Sequence, residues 1–291
     1  MEIRKLTQND EAQAVSFLKN HVETSLFLLS DIELGGFNYQ GRLYQAEFWA
    51  SFNAQGEITN IVAHCWNNMV LLQTPEVETA RALHAHFRQV TTRPVGGFMG
   101  LKAHVEQAIR ETGLGDKPLS MDGNEVLYKV VLEKIIMPDF DASKARLKPI
   151  SELDRDIFHR WQVDYEVEAL HRTPGSQLEK DIGDTLQGVI DTGNRWFLDY
   201  DGEPVSMVGF NARIPEIVQI GPVWTPVDKR CNGFARIGLA LALEQARDKD
   251  GVKTSILFAE NPAAAKAYIA IGYKAIGDYK LAMFKHDHTL N

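Results

Sequence analysis

Two periods organise the apolar positions of this chain, one near 3.6 residues and one of 2, and they alternate in a regular order. EIRKL opens as a short strand, and EAQAVSFLKNHV and TSLFLLSDIEL carry apolar residues at helical spacing up to Gly35-Gly36. YQAEFWASF, ITNIVAHCW and MVLLQ are strand-like, with the turn NAQGE between the first two. PEVETARALHAHFRQV follows as a helix with Pro75 in its first turn, then PVGGFMG as an extended piece. KAHVEQAIRETG is a helix stopped by Gly113, and EVLYKVVLE is a β-branched strand.

The second half repeats the order. RLKPI is a strand, LDRDIFHRWQVDYEVEAL and SQLEKDIGDTLQGVIDTG are helices, and RWFLDY, PVSMVGF and EIVQIGPVW are strands. A helix after Gly233, the strand TSILFA, the helix PAAAKAYIAIG and closing strand material KAIGDYKLAMF complete it. The succession βααβββαβαβ thus occurs twice, which predicts a duplicated α/β unit although the halves hardly match residue by residue. IIMPDFDASKA, residues 135–145, is polar, carries Pro138, and is the expected linker between domains at 1–134 and 146–291.

Composition narrows the partners. The 31 Lys and Arg against 39 Asp and Glu leave a net charge of −8, and no basic run is interleaved with aromatics, which argues against nucleic acid. Apolar runs such as LFLL at 26–29 are far too short for a membrane span or a signal segment, so a cytoplasmic protein that does not bind membranes is expected. Cys65 and Cys231, one in each half, form neither a disulfide framework nor a CxxC motif. His84, His86, His286 and His288 lack partners at ligand spacing, so no metal is expected.

One stretch carries chemistry. TPVDKRCNGFARIGLALALEQAR, residues 225–247, runs from a strand through a turn into a long helix, with Gly233 where the helix begins. Unpaired N–H groups at the start of a helix face the turn on the positive end of the dipole and make an anion site. Residues Arg230 to Arg236 would supply those groups, and Gly233 would remove a Cβ from the path of a diphosphate. No Gly-Lys-Ser/Thr follows, and GFARIG lacks the middle glycine of a dinucleotide fingerprint.

VWTPVDKRCNGFA resembles the acyl-CoA pyrophosphate loop of the GNAT superfamily, the acetyl-CoA-dependent N-acetyltransferases, in Arg230, Cys231, Asn232, Gly233, Phe234 and Ala235. Downstream, LFAENPAAAKAYIAIGYKAIGDY resembles a second signature of one bacterial branch, matching at Asn261, Pro262, Tyr268, Gly272 and Tyr273. The resemblance covers about residues 146 to 285. It departs at Cys231, where the branch has glycine, and at Ala264, where it has serine. The implied fold class is α/β with a mixed α+β sheet: two tandem GNAT-like domains, each a mixed, largely antiparallel sheet flanked by helices. The first is degenerate, because Thr74-Pro75 echoes Thr225-Pro226 but no loop glycine follows.

The resemblance also implies a reaction and its residues. An acetyl group passes from acetyl-CoA, the cosubstrate, to an amine by direct attack on the thioester. The cofactor would lie against Val223, Trp224, Thr225, Arg236, Asn261 and Ala264 as well as the loop, with a backbone N–H near Val223 to Thr225 holding the carbonyl oxygen. Tyr268 is the expected acid for the departing thiolate, and Glu216, at the head of the same strand, the first candidate base. Glu166 and Glu168 could equally bind a cationic acceptor, a small molecule or a peptide, and a homodimer is compatible with the sequence. Two rivals remain. A non-catalytic CoA-binding or sensing module would keep the loop without needing Tyr268. A tandem domain using charged transfer RNA would need a basic groove, against which the net charge argues.

Overall fold

The protein is described by a computed structural model over residues 2–170 and 172–290. Met1 and Asn291, the outer limits of the two expected domains, lie outside the described residues, as do His171 and the side chain of Ala263.

The described chain follows the expected order throughout. Its first ten elements are β1 (Glu2–Lys5), α1 (Glu11–Lys19), α2 (Val22–Gly35), β2 (Ala46–Phe52), β3 (Ile58–Cys65), β4 (Met69–Gln73), α3 (Val77–Val90), β5 (Val95–Leu101), α4 (Lys102–Thr112) and β6 (Leu119–Val131). The repeat follows as β7 (Ala145–Pro149), α5 (Arg155–Ala169), α6 (Ser176–Asp191), β8 (Arg195–Tyr200), β9 (Glu203–Ile214), β10 (Ile217–Trp224), α7 (Phe234–Asp250), β11 (Thr254–Ala259), α8 (Pro262–Ala270) and β12 (Lys274–His288). Three strands, β6, β9 and β12, are longer than their apolar runs, because one buried face suffices to hold a strand whose other positions are polar.

Two compact units result. One comprises the chain up to Tyr128 with Phe258–Glu260 and the chain from Ala275 on; the other comprises Lys129–Leu257 and Asn261–Lys274. In the first, the sheet order is β1-β2-β3-β4-β5-β12, with only β4 and β5 parallel. The strand β12, which the sequence assigns to the second domain, pairs antiparallel with β5 from Tyr279↔Leu101 to Met283↔Gly97. A Cβ at Gly97 would sit 2.4 Å from the carbonyl oxygen of Ala282, so glycine is what lets β12 lie there. Ala282 and Phe284 then join Trp49, Leu83, Phe87 and Phe98 in the core beneath α3 and α4.

The second unit has the order β11-β10-β9-β8-β7, again with one parallel pair, β10 and β11. Helices cover both faces. Phe158, Trp161, Ile182 and Leu186 of α5 and α6 pack on Phe197, Met207 and Trp224, whereas Ile237 of α7 packs on Leu198 and Val205 of the opposite face. Asp154 starts α5 by accepting from the N–H groups of Asp156 and Ile157 at 3.0 and 3.1 Å, and α7 ends at Gly251 in the left-handed region. The layering fixes where the ends of β10 and β11 meet the starts of α7 and α8.

Candidate functional site

The strands β10 and β11 hydrogen-bond only over Ile217–Gln219 and Thr254–Ile256. Beyond Gln219, β10 continues to Trp224 with β9 as its partner, in a register that slips at Gln219/Ile220 and again before Val223. Gly221-Pro222 explains the slip, since proline has no N–H for a ladder and glycine holds a strand weakly. The two parallel strands therefore part, and a cleft of about 480 Å³ opens.

The cleft gathers most of the residues expected from the sequence. Val223, Trp224 and Thr225 line it from the strand; Arg230, Cys231 and Gly233 from the loop; Phe234, Ala235 and Arg236 from the first turn of α7; and Ala264 and Tyr268 from α8. Asn232 and Asn261 do not line it. The Asn232 amide instead donates to the carbonyls of Lys229 and Arg230, which tightens the loop, and the Asn261 carbonyl accepts from Ala265 N as α8 begins.

Gly233 has two reasons to be glycine. It caps α7 at φ +77°, a conformation that costs an L-residue about 1–2 kcal/mol, and it keeps the approach to the helix start open. The first backbone hydrogen bond within the turn is Ile237 N to the Gly233 carbonyl, so the preceding N–H groups of Phe234, Ala235 and Arg236 have no acceptor within the helix. Arg236 adds a cation whose buried Nε has no partner among the described residues. Arg230 lies with its guanidinium 4.8 Å over the Trp224 ring, donates through Nε to the Thr225 carbonyl at 3.0 Å, and pairs with Glu168 at 2.8 Å. Two arginines, free amides and a helix N-terminus in one cleft suit a diphosphate.

Cys231 is the odd member of the loop. It adopts φ +65°, the left-handed region, with an exposed thiol. Replacing it with glycine relieves about 1 kcal/mol of strain, but glycine's extra freedom in the unfolded chain offsets about as much. Cys231→Gly should therefore leave the urea midpoint nearly unchanged while tightening pyrophosphate binding, because a Cβ leaves the loop. Cys231→Val, β-branched at the same φ, should lower stability by about 1–2 kcal/mol. Urea unfolding and calorimetry on both variants check the pair of effects.

Tyr268 is partly buried, and its ring meets that of Tyr273 edge-on at 6.2 Å. Burial, together with nearby Tyr165, raises its hydroxyl well above the ordinary tyrosine value, so it carries its proton throughout the neutral range. Tyr273 itself is a structural residue, bonded to Ser255 Oγ at 2.6 Å.

Glu216 lies elsewhere. It sits in the turn between β9 and β10, with its carbonyl bound to the N–H groups of Lys253 and Thr254. Seven residues of strand separate it from Val223, about 23 Å at the usual rise. The sequence found the strand but not which end of it faces the cleft. Glu168 lines the cleft and holds Arg230, whereas Glu166 accepts from Gln162 Nε2 at 3.2 Å and lies 3.8 Å from Arg172. Glu168, Trp224 and Lys229 also wall a neighbouring cleft of about 670 Å³ against Trp161 of α5.

Two residues without a sequence signal of their own, Arg195 and Asn211, stand beside this region. Arg195 opens β8 and donates from Nη2 to Asn211 Oδ1 at 3.2 Å, while Tyr165 and Glu166 on α5 are the acidic groups whose fields reach it. The trace they leave in the sequence is indirect, in the strand glycines Gly209 and Gly221 that make room for them.

This architecture, with two βααβββαβαβ repeats and a cleft where two parallel strands part, defines a tandem GNAT fold. Solved structures share it over nearly the whole chain. A tandem GNAT protein from the clavulanic acid biosynthesis pathway matches with a TM-score of 0.57 at 11% identity, covering 98% of each chain. A Drosophila protein matches at 0.62 and 13%, covering 97% of this chain and 98% of its own. A GCN5-related N-acetyltransferase from Sphaerobacter thermophilus matches at 0.54 and 14%, covering 97% and 94%. Residues 155–273 match the model of the acetyltransferase (GNAT) family. No curated protein matches the chain. Among the described residues no helix is long and apolar enough to cross a membrane, and no group of three or more His, Cys, Asp or Glu is placed to hold a metal.

Proposed function

We propose that the protein is an N-acetyltransferase that moves an acetyl group from acetyl-CoA to a primary amine of a small molecule or peptide by direct attack. The observation that carries this reading is the meeting, in one cleft, of the Gly233 loop with its unpaired amides and the protonated hydroxyl of Tyr268. The diphosphate binds at the start of α7 near Arg230 and Arg236, and the thioester lies between the parted strands. A backbone N–H of Val223 to Thr225 holds the carbonyl oxygen as it gains charge. The acceptor, having lost one proton to water, attacks the carbonyl carbon as the neutral amine, the C–S bond breaks, Tyr268 gives its proton to the sulfur, and water carries the proton of the new ammonium back to the tyrosinate. The carboxylates on α5, Glu166 and Glu168, attract the cationic acceptor, and Glu216 has no part in the step.

An amine library incubated with acetyl-CoA, with release of free CoA thiol as the signal, tests this function. Acetyl-CoA binding without thiol release from any amine would favour the sensing module instead. The first unit is expected to bind none. Its β4–α3 connection is only Thr74 to Glu76, and Gly100 lets Leu72 close on β5, where an added Cβ would lie 3.0 Å from the Leu72 carbonyl oxygen. Calorimetry on the full chain should therefore give one acetyl-CoA per chain, and a value of two would refute the assignment of the second unit as the sole site.

A further inference from the structure

Arg195 is held in a way that a merely structural arginine does not need. It stands opposite Gly209 across the β8–β9 ladder, and a Cβ at Gly209 would come within 2.5 Å of its Cδ and 2.8 Å of its Nη1. Glycine there lets the guanidinium lie across β9. On the next strand Gly221 does the same for Asn211, whose Oδ1 would be 2.2 Å from an added Cβ. Two neighbouring strands thus give up side chains so that Arg195 and Asn211 can meet.

The meeting leaves the arginine under-satisfied. A guanidinium has five N–H donors, and Nη1 is buried with no partner among the described residues. Burial holds its pKa down to about 10, so it remains charged at neutral pH in surroundings that disfavour the charge. Glu166 and Tyr165 are near enough for their fields to act on it, yet among the described residues Arg195 makes no ion pair with Glu166, which lies instead beside Arg172. The cation on β8 and the carboxylate on α5 thus lie within each other's field without pairing, one charge of each sign, as an amino acid carries.

The position agrees with that reading. Gly221 is two residues before Val223 on β10, about 7 Å along the strand from the cleft wall. The last turns of α5 connect the two places, since Tyr165 lies near both Arg195 and Tyr268.

We propose that the acceptor is a free amino acid, whose carboxylate is received by Arg195 and Asn211 and whose ammonium is received by Glu166 beside the acetyl group. Arg195 is then a specificity residue. Its planar fork suits a carboxylate through two parallel N–H bonds, and Asn211 orients that fork. The inference rests on the acetyltransferase reading, and its test separates the two.

The test uses the full chain, acetyl-CoA, and a panel of L-amino acids, each beside its carboxamide and its decarboxylated amine. The free acids should exceed their own amides in kcat/KM by about tenfold to a hundredfold, the usual scale for a charge-assisted bond. In Arg195→Met that ratio should fall to near one, and in Arg195→Lys it should keep an intermediate value. Acetyl-CoA affinity within about twofold of wild type shows that the variants are folded. Equal turnover of amides and acids, or a preference that survives Arg195→Met, overturns the inference while leaving the acetyltransferase standing. If no amine is acetylated, thermal shifts of the acetyl-CoA complex decide it. Acids that raise Tm more than their amides, in the wild type but not in Arg195→Met, uphold the carboxylate site though the acetyltransferase fails, and equal shifts reject both.

Discussion

Tyr268→Phe is expected to lower kcat by about a hundredfold and leave the affinity for acetyl-CoA unchanged. The substitution removes one hydroxyl, and a phenyl ring can keep the edge-on contact with Tyr273 and the place on α8. General acids contribute about 10²–10⁴-fold, so the lower end is a conservative figure where water can also protonate the thiolate. Because burial raises the hydroxyl's pKa, the donor is present at every neutral pH and the loss should not depend on buffer between pH 6 and 8. A tyrosine that merely packs predicts another pattern: about 1 kcal/mol less stability from a lost hydrogen bond and kcat near wild type. Single-turnover rates with a working amine distinguish the two, since they report chemistry rather than product release. A full single-turnover rate would remove Tyr268 from the mechanism.

Gly233→Glu should weaken acetyl-CoA binding at least tenfold, about 1.4 kcal/mol. Here two effects add. The residue sits at φ +77°, where any side chain is strained, and its carboxylate would enter the field of the helix start, occupying the charge that a diphosphate needs. Gly233→Ala separates them, since alanine brings the strain and no charge. An added Cβ meets only Arg236 Nη2 at 3.6 Å, so alanine should cost stability of about 1–2 kcal/mol and little affinity. Calorimetry of both variants is the check, and equal affinities in Gly233→Glu and wild type would displace the diphosphate from this loop.

Much of this was legible from residues alone, for identifiable reasons. Helix and strand periods are local properties, and the two repeats gave themselves away by order even where their residues diverged. The loop was legible because glycine at a helix start is costly without a purpose. What escaped depends on contacts between residues far apart in sequence. KAIGDYKLAMF announces a strand but not its neighbour; that information lies in Gly96-Gly97, whose missing side chains admit β12. Glu216 was read as the head of β10, whereas the cleft is lined by the other end of that strand, because a strand's residues share a ladder without sharing a site. Arg195 resembled an ordinary polar residue at a strand start, and only the packing against Gly209 shows its guanidinium turned inward.

The pairing of β12 with β5 has a temporal side. During synthesis Gly97 emerges long before Met283, its partner across the ladder, a delay on the order of ten seconds or more at ordinary elongation rates. For that interval the β5 edge is an open row of N–H and C=O groups, the kind of edge that recruits strands from other chains. Its three glycines make it a poor template, lacking the side chains that would reward a stranger's contact. The sheet that is begun earlier is thus completed later, and a nascent chain halted before residue 275 would carry it unfinished however well its early helices had formed.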